Sequence, residues 1–277
     1  MIPNSKSLII LLVTCQLISL KSHEQDYSNL SEYSYPIVAK TTTQNEYEQA
    51  TCFFYKKGSN IYLITNNHVV TGWNPMAKKR DHEILELRVF LPQINSDKFS
   101  SYSFYGINAT TKIDSFSFLN KPDIFALKIV NKLNANVLIK FINDRIDMNY
   151  LVKIPSSLYE FGYSKLGEGT LNNRFNKGTV LKSVYLKNYD SIFNILFIDA
   201  NSKKFKDTAA LFKKLYFLSS PASNSGRSGS PVFGEFQVNN GKKIYKLVGM
   251  DFGGADAFNI NYVIKGKELL KFLNSLE

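Results

Sequence analysis

Gly226-Arg227-Ser228-Gly229-Ser230-Pro231-Val232-Phe233 decides the reading of this chain. A turn of small residues opens into a β-prone segment and holds Ser228 between two glycines, Gly226 and Gly229. Such a turn exposes a hydroxyl and aims neighbouring backbone N–H groups into a common space, and acyl transfer needs both. Ser and Gly crowd ordinary turns, so the stretch takes its weight from two segments upstream. Ile64-Thr65-Asn66-Asn67-His68-Val69-Val70 ends a strand-like run with a histidine. Lys121-Pro122-Asp123-Ile124-Phe125-Ala126-Leu127-Lys128-Ile129 sets an aspartate at the mouth of an apolar strand. The order along the chain is His, Asp, Ser.

Serine is a poor nucleophile at neutral pH and needs a base to take its proton. The chain has 3 histidines. His23 lies in a polar leader, and His82 follows the charged run Lys78-Lys79-Arg80-Asp81. His68 follows Ile61-Tyr62-Leu63-Ile64 and so stands at a strand end. A lone histidine is more often structural than catalytic, but beside the serine turn and the aspartate the catalytic reading prevails. Asp123 would accept the other ring N–H, fix the tautomer and stabilise the imidazolium. Asp114 is the rival carboxylate, in the hydroxyl-rich Lys112-Ile113-Asp114-Ser115. Asp123 is preferred because the apolar run behind it can bury and hold its carboxylate.

With ITNNHVV, DIFALKI and GRSGSPVF as they stand, residues 48 to 265 resemble the trypsin-like (chymotrypsin-fold) serine endopeptidases, in particular their disulfide-poor bacterial members. Leu247-Val248-Gly249-Met250-Asp251-Phe252-Gly253-Gly254 adds a fourth match. In that family the corresponding strand lies beside the nucleophile and pairs with the substrate backbone. The resemblance implies an all-β fold of two six-stranded antiparallel β-barrels with a C-terminal helix. It implies an acyl-enzyme mechanism on peptide or protein substrates, with catalytic His68, Asp123 and Ser228. The N–H groups of Gly226 and Ser228 would form the oxyanion hole, and Ala222, Asp251, Gly253 and Gly254 would line the substrate site.

Arg227 departs from the family. Digestive trypsins carry an aspartate just before the serine, and it captures the new N-terminus after zymogen cleavage. Arginine cannot bind an ammonium group, so the oxyanion turn must be held another way. Asp251 stands where glutamyl endopeptidases carry a histidine that reads an acidic side chain. A carboxylate on the pocket wall would favour Lys or Arg before the scissile bond. The alternative is an Asp251 that points to solvent or pairs with a lysine, because one residue of register flips a strand side chain to the other face. A binding module that keeps this fold without cutting, catalytically weak or inactive, is the alternative to an enzyme.

The rest of the chain agrees with a folded β-rich protein. Hydrophobic residues make up 44% and charged ones 21%, with 21 Phe and 16 Tyr, a composition that favours strands over a helical bundle. The net charge of +11 is spread along the chain, with no arginine run or aromatic–basic repeat for a nucleic-acid groove. No ligand-spaced His/Cys/Asp/Glu cluster and no phosphate-cradling glycine loop occurs, so neither metal nor cofactor is expected.

Residues 1–22 read as an export signal with an apolar run too short to span a membrane, which predicts a periplasmic or extracellular protein. If Cys15 leaves with the signal, Cys52 is alone and reads as a small buried hydrophobe. Residues 23–34 read as a leader or short propeptide, 35–143 as the first barrel, and 144–277 as the second barrel with its helix. Short β-prone runs between turn signals fill both halves. Ile264, Leu269, Leu270, Phe272, Leu273 and Leu276 share a helical face at the end.

Overall fold

The computed structural model describes residues 29–43, 47–74, 79–80, 83–96, 98–107, 121–129, 133, 136–163, 178–187, 210–223, 225–238, 241–255 and 258–277. The expected export signal, Asp114, His23 and His82 lie outside the described residues.

Among the described residues, twelve of fourteen strands form two six-stranded antiparallel sheets. The first holds β1 (Tyr35–Thr41), β2 (Tyr47–Lys57), β3 (Asn60–Thr65), β6 (Ile84–Pro92), β7 (Phe99–Tyr105) and β8 (Phe125–Lys128), in the order β7-β6-β1-β2-β3-β8. Between β3 and β6, the pair β4 (Trp73–Asn74) and β5 (Lys79–Arg80) makes a separate ribbon. The second sheet is a closed barrel of β9 (Ser157–Gly162), β10 (Thr179–Tyr185), β11 (Tyr216–Ser220), β12 (Pro231–Gln237), β13 (Lys243–Ala255) and β14 (Ile260–Lys265). The fold is the expected one of two six-stranded antiparallel barrels with a C-terminal helix; among the described residues the second barrel is closed, and the first is a half-barrel in which β7 and β8 do not pair.

The β2–β3 hairpin shows how the pattern in the sequence sets the architecture. Gly58, with φ of +60°, takes the first position of the two-residue turn, where a left-handed backbone is needed. Ala50 to Tyr55 are all buried, although a strand side chain faces alternate sides. Ala50, Cys52 and Phe54 pack inside the first sheet, whereas Phe53 and Tyr55 join the core of the second barrel. In β3, Leu63 goes one way and Tyr62 and Ile64 the other. An unbroken apolar run here means a strand covered on both faces, by its own sheet and by the opposite barrel.

The C-terminal helix Gly266–Asn274 closes the second barrel with Leu269 and Leu273, both 0% exposed. Gly266 allows its approach, because a Cβ there would lie 2.7 Å from Leu151 and 2.8 Å from the Val248 carbonyl. Leu30 and Tyr33, within the stretch read as a polar leader, sit in a 3-10 turn (Asn29–Tyr33) and are buried in the same core. Tyr33 meets Phe233 of β12 with ring centroids 6.1 Å apart. Cys52 is fully buried with its thiol pKa pushed well up by burial, so it behaves as the apolar residue its neighbours suggested.

Candidate active site

His68 lies in a single helical turn, Asn67–Thr71, that begins where β3 ends. Gly72 stops the turn in the left-handed conformation, φ +63°, and its N–H bonds the His68 carbonyl at 2.9 Å. Val69 and Val70, both buried, pin the turn to the first sheet. Asp123 is 0% exposed and gathers this segment around it. Its carbonyl accepts from Asn66 Nδ2 at 2.8 Å and from the Asn67 N–H at 3.4 Å. Its carboxylate accepts from the His68 N–H at 3.0 Å through Oδ1 and pairs with His68 Nδ1 through Oδ2.

The His68 side chain is 22% exposed. Burial works against its charged form, but the Asp123 carboxylate overcomes that by charge and by hydrogen bond. Glu48 and Asp251 add to it, so the His68 pKa is raised above 6.5. From the second barrel, Phe252 meets the imidazole edge-on, with centroids 5.9 Å apart and planes at 88°.

The turn that carries Ser228 is stitched to the first sheet through Thr51 of β2. The Thr51 N–H bonds the Ser228 carbonyl at 2.9 Å, and Thr51 Oγ1 donates to the Gly226 carbonyl at 3.1 Å. The Thr51 carbonyl in turn accepts from Thr65 Oγ1 at 2.9 Å, one residue before Asn66. Gly229 lets these two parts meet: a Cβ there would lie 2.2 Å from the Thr51 carbonyl and 2.5 Å from Thr65 Oγ1. Its φ of +88° and the +96° of Gly226 are values that side chains rarely tolerate.

His68 and Ser228 line one cavity of about 310 Å³, together with Glu48, Gln49, Val69, Ser223, Ser225, Gly226, Gly253 and Gly254. Neither the Gly226 nor the Ser228 N–H has a carbonyl partner among the described backbone bonds. The described hydrogen bonds do not include one between the Ser228 hydroxyl and His68. Among the described residues no group of three or more His, Cys, Asp and Glu could hold a metal ion.

Of the residues expected at a substrate site, Gly253 and Gly254 line the cavity, and Asp251 and Ala222 do not. Asp251 is 0% exposed, and among the described residues no lysine pairs with it. Its Oδ1 accepts from the Gly253 N–H at 3.3 Å, and its Oδ2 lies 3.2 Å from Ser223 Oγ. The register of β13 against β14 shifts between Asp251 and Gly253. Such a bulge re-aims the side chains beside it, so both Asp251 and Phe252 are buried.

Behind the cavity wall runs a buried polar chain that the sequence did not reveal. Ser223 Oγ lies 2.8 Å from Asn261 Oδ1, Asn261 Nδ2 donates to Glu160 Oε2 at 3.3 Å, and Glu160 Oε1 is 3.6 Å from Arg227 Nη1. Burial, followed by the charge of Asp251, pushes the Glu160 carboxyl well up, against the pull of Arg227. Burial also raises Asp251 to about 6, against bonds from Asn261, Ser223 and Gly253. Two carboxyl groups therefore share the compensation of one guanidinium. The one available signal was Glu160 itself, a charge inside the otherwise apolar Leu158-Tyr159-Glu160-Phe161.

Two six-stranded antiparallel sheets, with a cleft between them and a helix closing the second, define the trypsin-like fold. No family model matches the sequence, and no curated protein matches it. Among solved structures, the one described as the structure of GrC superposes with a TM-score of 0.50 at 15% identity, over 88% of this chain and 92% of that chain. A thermostable serine protease, AL20, from an extremophilic microorganism gives 0.47 at 10% identity, over 87% of this chain and 94% of its own. The protease Anisep from Arthrobacter nicotinovorans gives 0.47 at 11%, over 84% and 90%.

Proposed function

We propose that this chain is a serine endopeptidase, exported from the cell, that cleaves peptide bonds through an acyl-enzyme. The reading rests above all on the buried Asp123 carboxylate paired with His68, at the edge of the cavity that Ser228 also lines. His68 takes the Ser228 proton as Oγ attacks the substrate carbonyl. Asp123 holds the ring in the tautomer whose free nitrogen faces the nucleophile, and it stabilises the imidazolium that forms. The oxyanion of the tetrahedral intermediate is held by the Gly226 and Ser228 N–H groups. Collapse expels the amine, which takes its proton from His68, and water then releases the acyl group by the same steps in reverse.

Asp251, behind Ser223 and Gly253, acts on substrate choice only through the wall it supports. Export is supported by the short charged start and the apolar run of residues 1–22. The missing Ser228–His68 bond favours a second reading, a peptide-binding protein of this fold that does not cut. Such bonds are often long before substrate arrives, so the enzyme reading stands first. A fluorophosphonate probe separates the two. The enzyme is labelled at Ser228 and loses labelling in Ser228→Ala and in His68→Ala. A folded wild-type chain that stays unlabelled and cleaves no casein is a binding protein.

A further inference from the structure

The turn that carries Ser228 has two glycines at positive φ and would have little rigidity of its own. Three of its carbonyl groups are nevertheless engaged. That of Gly226 accepts from Thr51 Oγ1, that of Arg227 from the Ser230 N–H at 2.9 Å, and that of Ser228 from the Thr51 N–H. With the carbonyls turned away, the amides of Gly226 and Ser228 are left for the cavity. The Gly226 N–H belongs to the Ser225–Gly226 peptide unit and the Ser228 N–H to the Arg227–Ser228 unit, so rotation of either unit would undo this arrangement, and the one side chain between the two units is that of Arg227.

Arg227 is buried, 3% exposed, which is rare for an arginine. Its Nη1 is 3.4 Å from the Glu160 carbonyl and 3.6 Å from Glu160 Oε1, and Nη2 donates to Thr179 Oγ1 of β10. Gly162 makes room for it, because a Cβ there would come within 3.0 Å of Arg227 Cγ. Burying such a pair is costly, and replacing it with apolar residues would often stabilise a protein, so its presence calls for a role other than stability.

We propose that Arg227 is a positioning residue, anchored by Glu160 on β9, that holds the Gly226–Gly229 turn with the Gly226 and Ser228 amides facing the cavity. It inverts the trypsin arrangement. There the turn carries an anion and waits for a cation made by cleavage, whereas here the turn carries its own cation and the barrel supplies the carboxyl group and the carbonyl that face it. No cut terminus is required to form the oxyanion hole.

This inference rests on the endopeptidase reading, and the experiment separates the two. Arg227→Ala, Arg227→Met and Glu160→Gln are compared with the wild type, as full chains, by ester and peptide hydrolysis and by fluorophosphonate labelling. Each substitution is expected to lower kcat by about 10²–10³ with little change in KM, the signature of lost oxyanion stabilisation. Millimolar guanidinium should restore a measurable part of the kcat of Arg227→Ala, with no effect on the wild type or on Ser228→Ala. An unlabelled wild type overturns the endopeptidase reading. A labelled wild type whose variants keep their kcat, or lose only KM, overturns the positioning role alone. Variants that unfold and that guanidinium does not bring back also overturn it, because they make Arg227 a residue of the core and not of the turn.

Discussion

Asp251→Asn should make the protein more stable at neutral pH, although it removes a fully buried, hydrogen-bonded side chain. The carboxyl is raised from 3.8 to about 6 in the fold, chiefly by burial. Between these values the folded state holds a proton that the unfolded chain has released. Stability from this group is therefore full below 3.8 and is lost as pH rises through about 6. A shift of roughly two units corresponds to about 3 kcal/mol, lost between about pH 4 and pH 7.5.

The local bonding points the same way. Ser223 has one hydroxyl proton for two acceptors, Asn261 Oδ1 at 2.8 Å and Asp251 Oδ2 at 3.2 Å. An asparagine can donate to Ser223 through Nδ2, leave the Ser223 proton to Asn261, and still accept from the Gly253 N–H. Urea and thermal unfolding of both proteins at about pH 4 and about pH 7.5 is the assay. The stability difference, variant minus wild type, should grow by about 3 kcal/mol between the two pH values, roughly 6–12 °C in Tm at 2–4 °C per kcal/mol. His68 has a raised pKa and the same sign of pH dependence; Asp251 is the smallest of the charges that raise it, so most of this contribution is common to both proteins and cancels in the difference. A difference that does not change with pH would refute the burial argument for Asp251.

Three further outcomes are expected. Ser228→Ala and His68→Ala should each lower turnover by about 10⁶, with the double variant little worse, and Asp123→Asn by about 10⁴, read by peptide hydrolysis. Because Asp123 raises the His68 pKa, the acid limb of kcat/KM should lie above 6.5, and Glu48→Gln should move it to lower pH. Gly229→Ala should abolish activity and lower the urea midpoint sharply, since its methyl would sit 2.2 Å from the Thr51 carbonyl; Gly241→Ala, at φ +71° with nothing within 4 Å, should cost only about 1–2 kcal/mol.

The parts legible in the sequence were those with local signatures. The turn 226–231, the histidine at the end of β3, the aspartate opening β8 and the two-residue turn at Gly58 each follow from a few adjacent residues. Phe53 and Phe54 look alike in the sequence, yet they belong to different cores, because only the docking of the two sheets decides what covers each face. The partner of Arg227 was invisible for a similar reason. Glu160 is 67 residues away, and an isolated charge in an apolar strand does not say which cation it meets. Asp251 was placed on the right strand, but the shift between Asp251 and Gly253 is a backbone event without a residue signature.

The shared use of β2 by the two halves sets an order of events in synthesis. The sheet bearing His68 and Asp123 leaves the ribosome first, with Phe53, Tyr55, Tyr62 and Ile64 uncovered and Ser228 not yet made. Ser228 arrives more than a hundred residues later, and its turn takes shape only against Thr51. His68 and Ser228 thus come to share one cavity only when the two halves dock. On the proposed endopeptidase reading, a nascent or half-unfolded molecule carries the parts of a cutting site without the site, which protects the chain before it has folded.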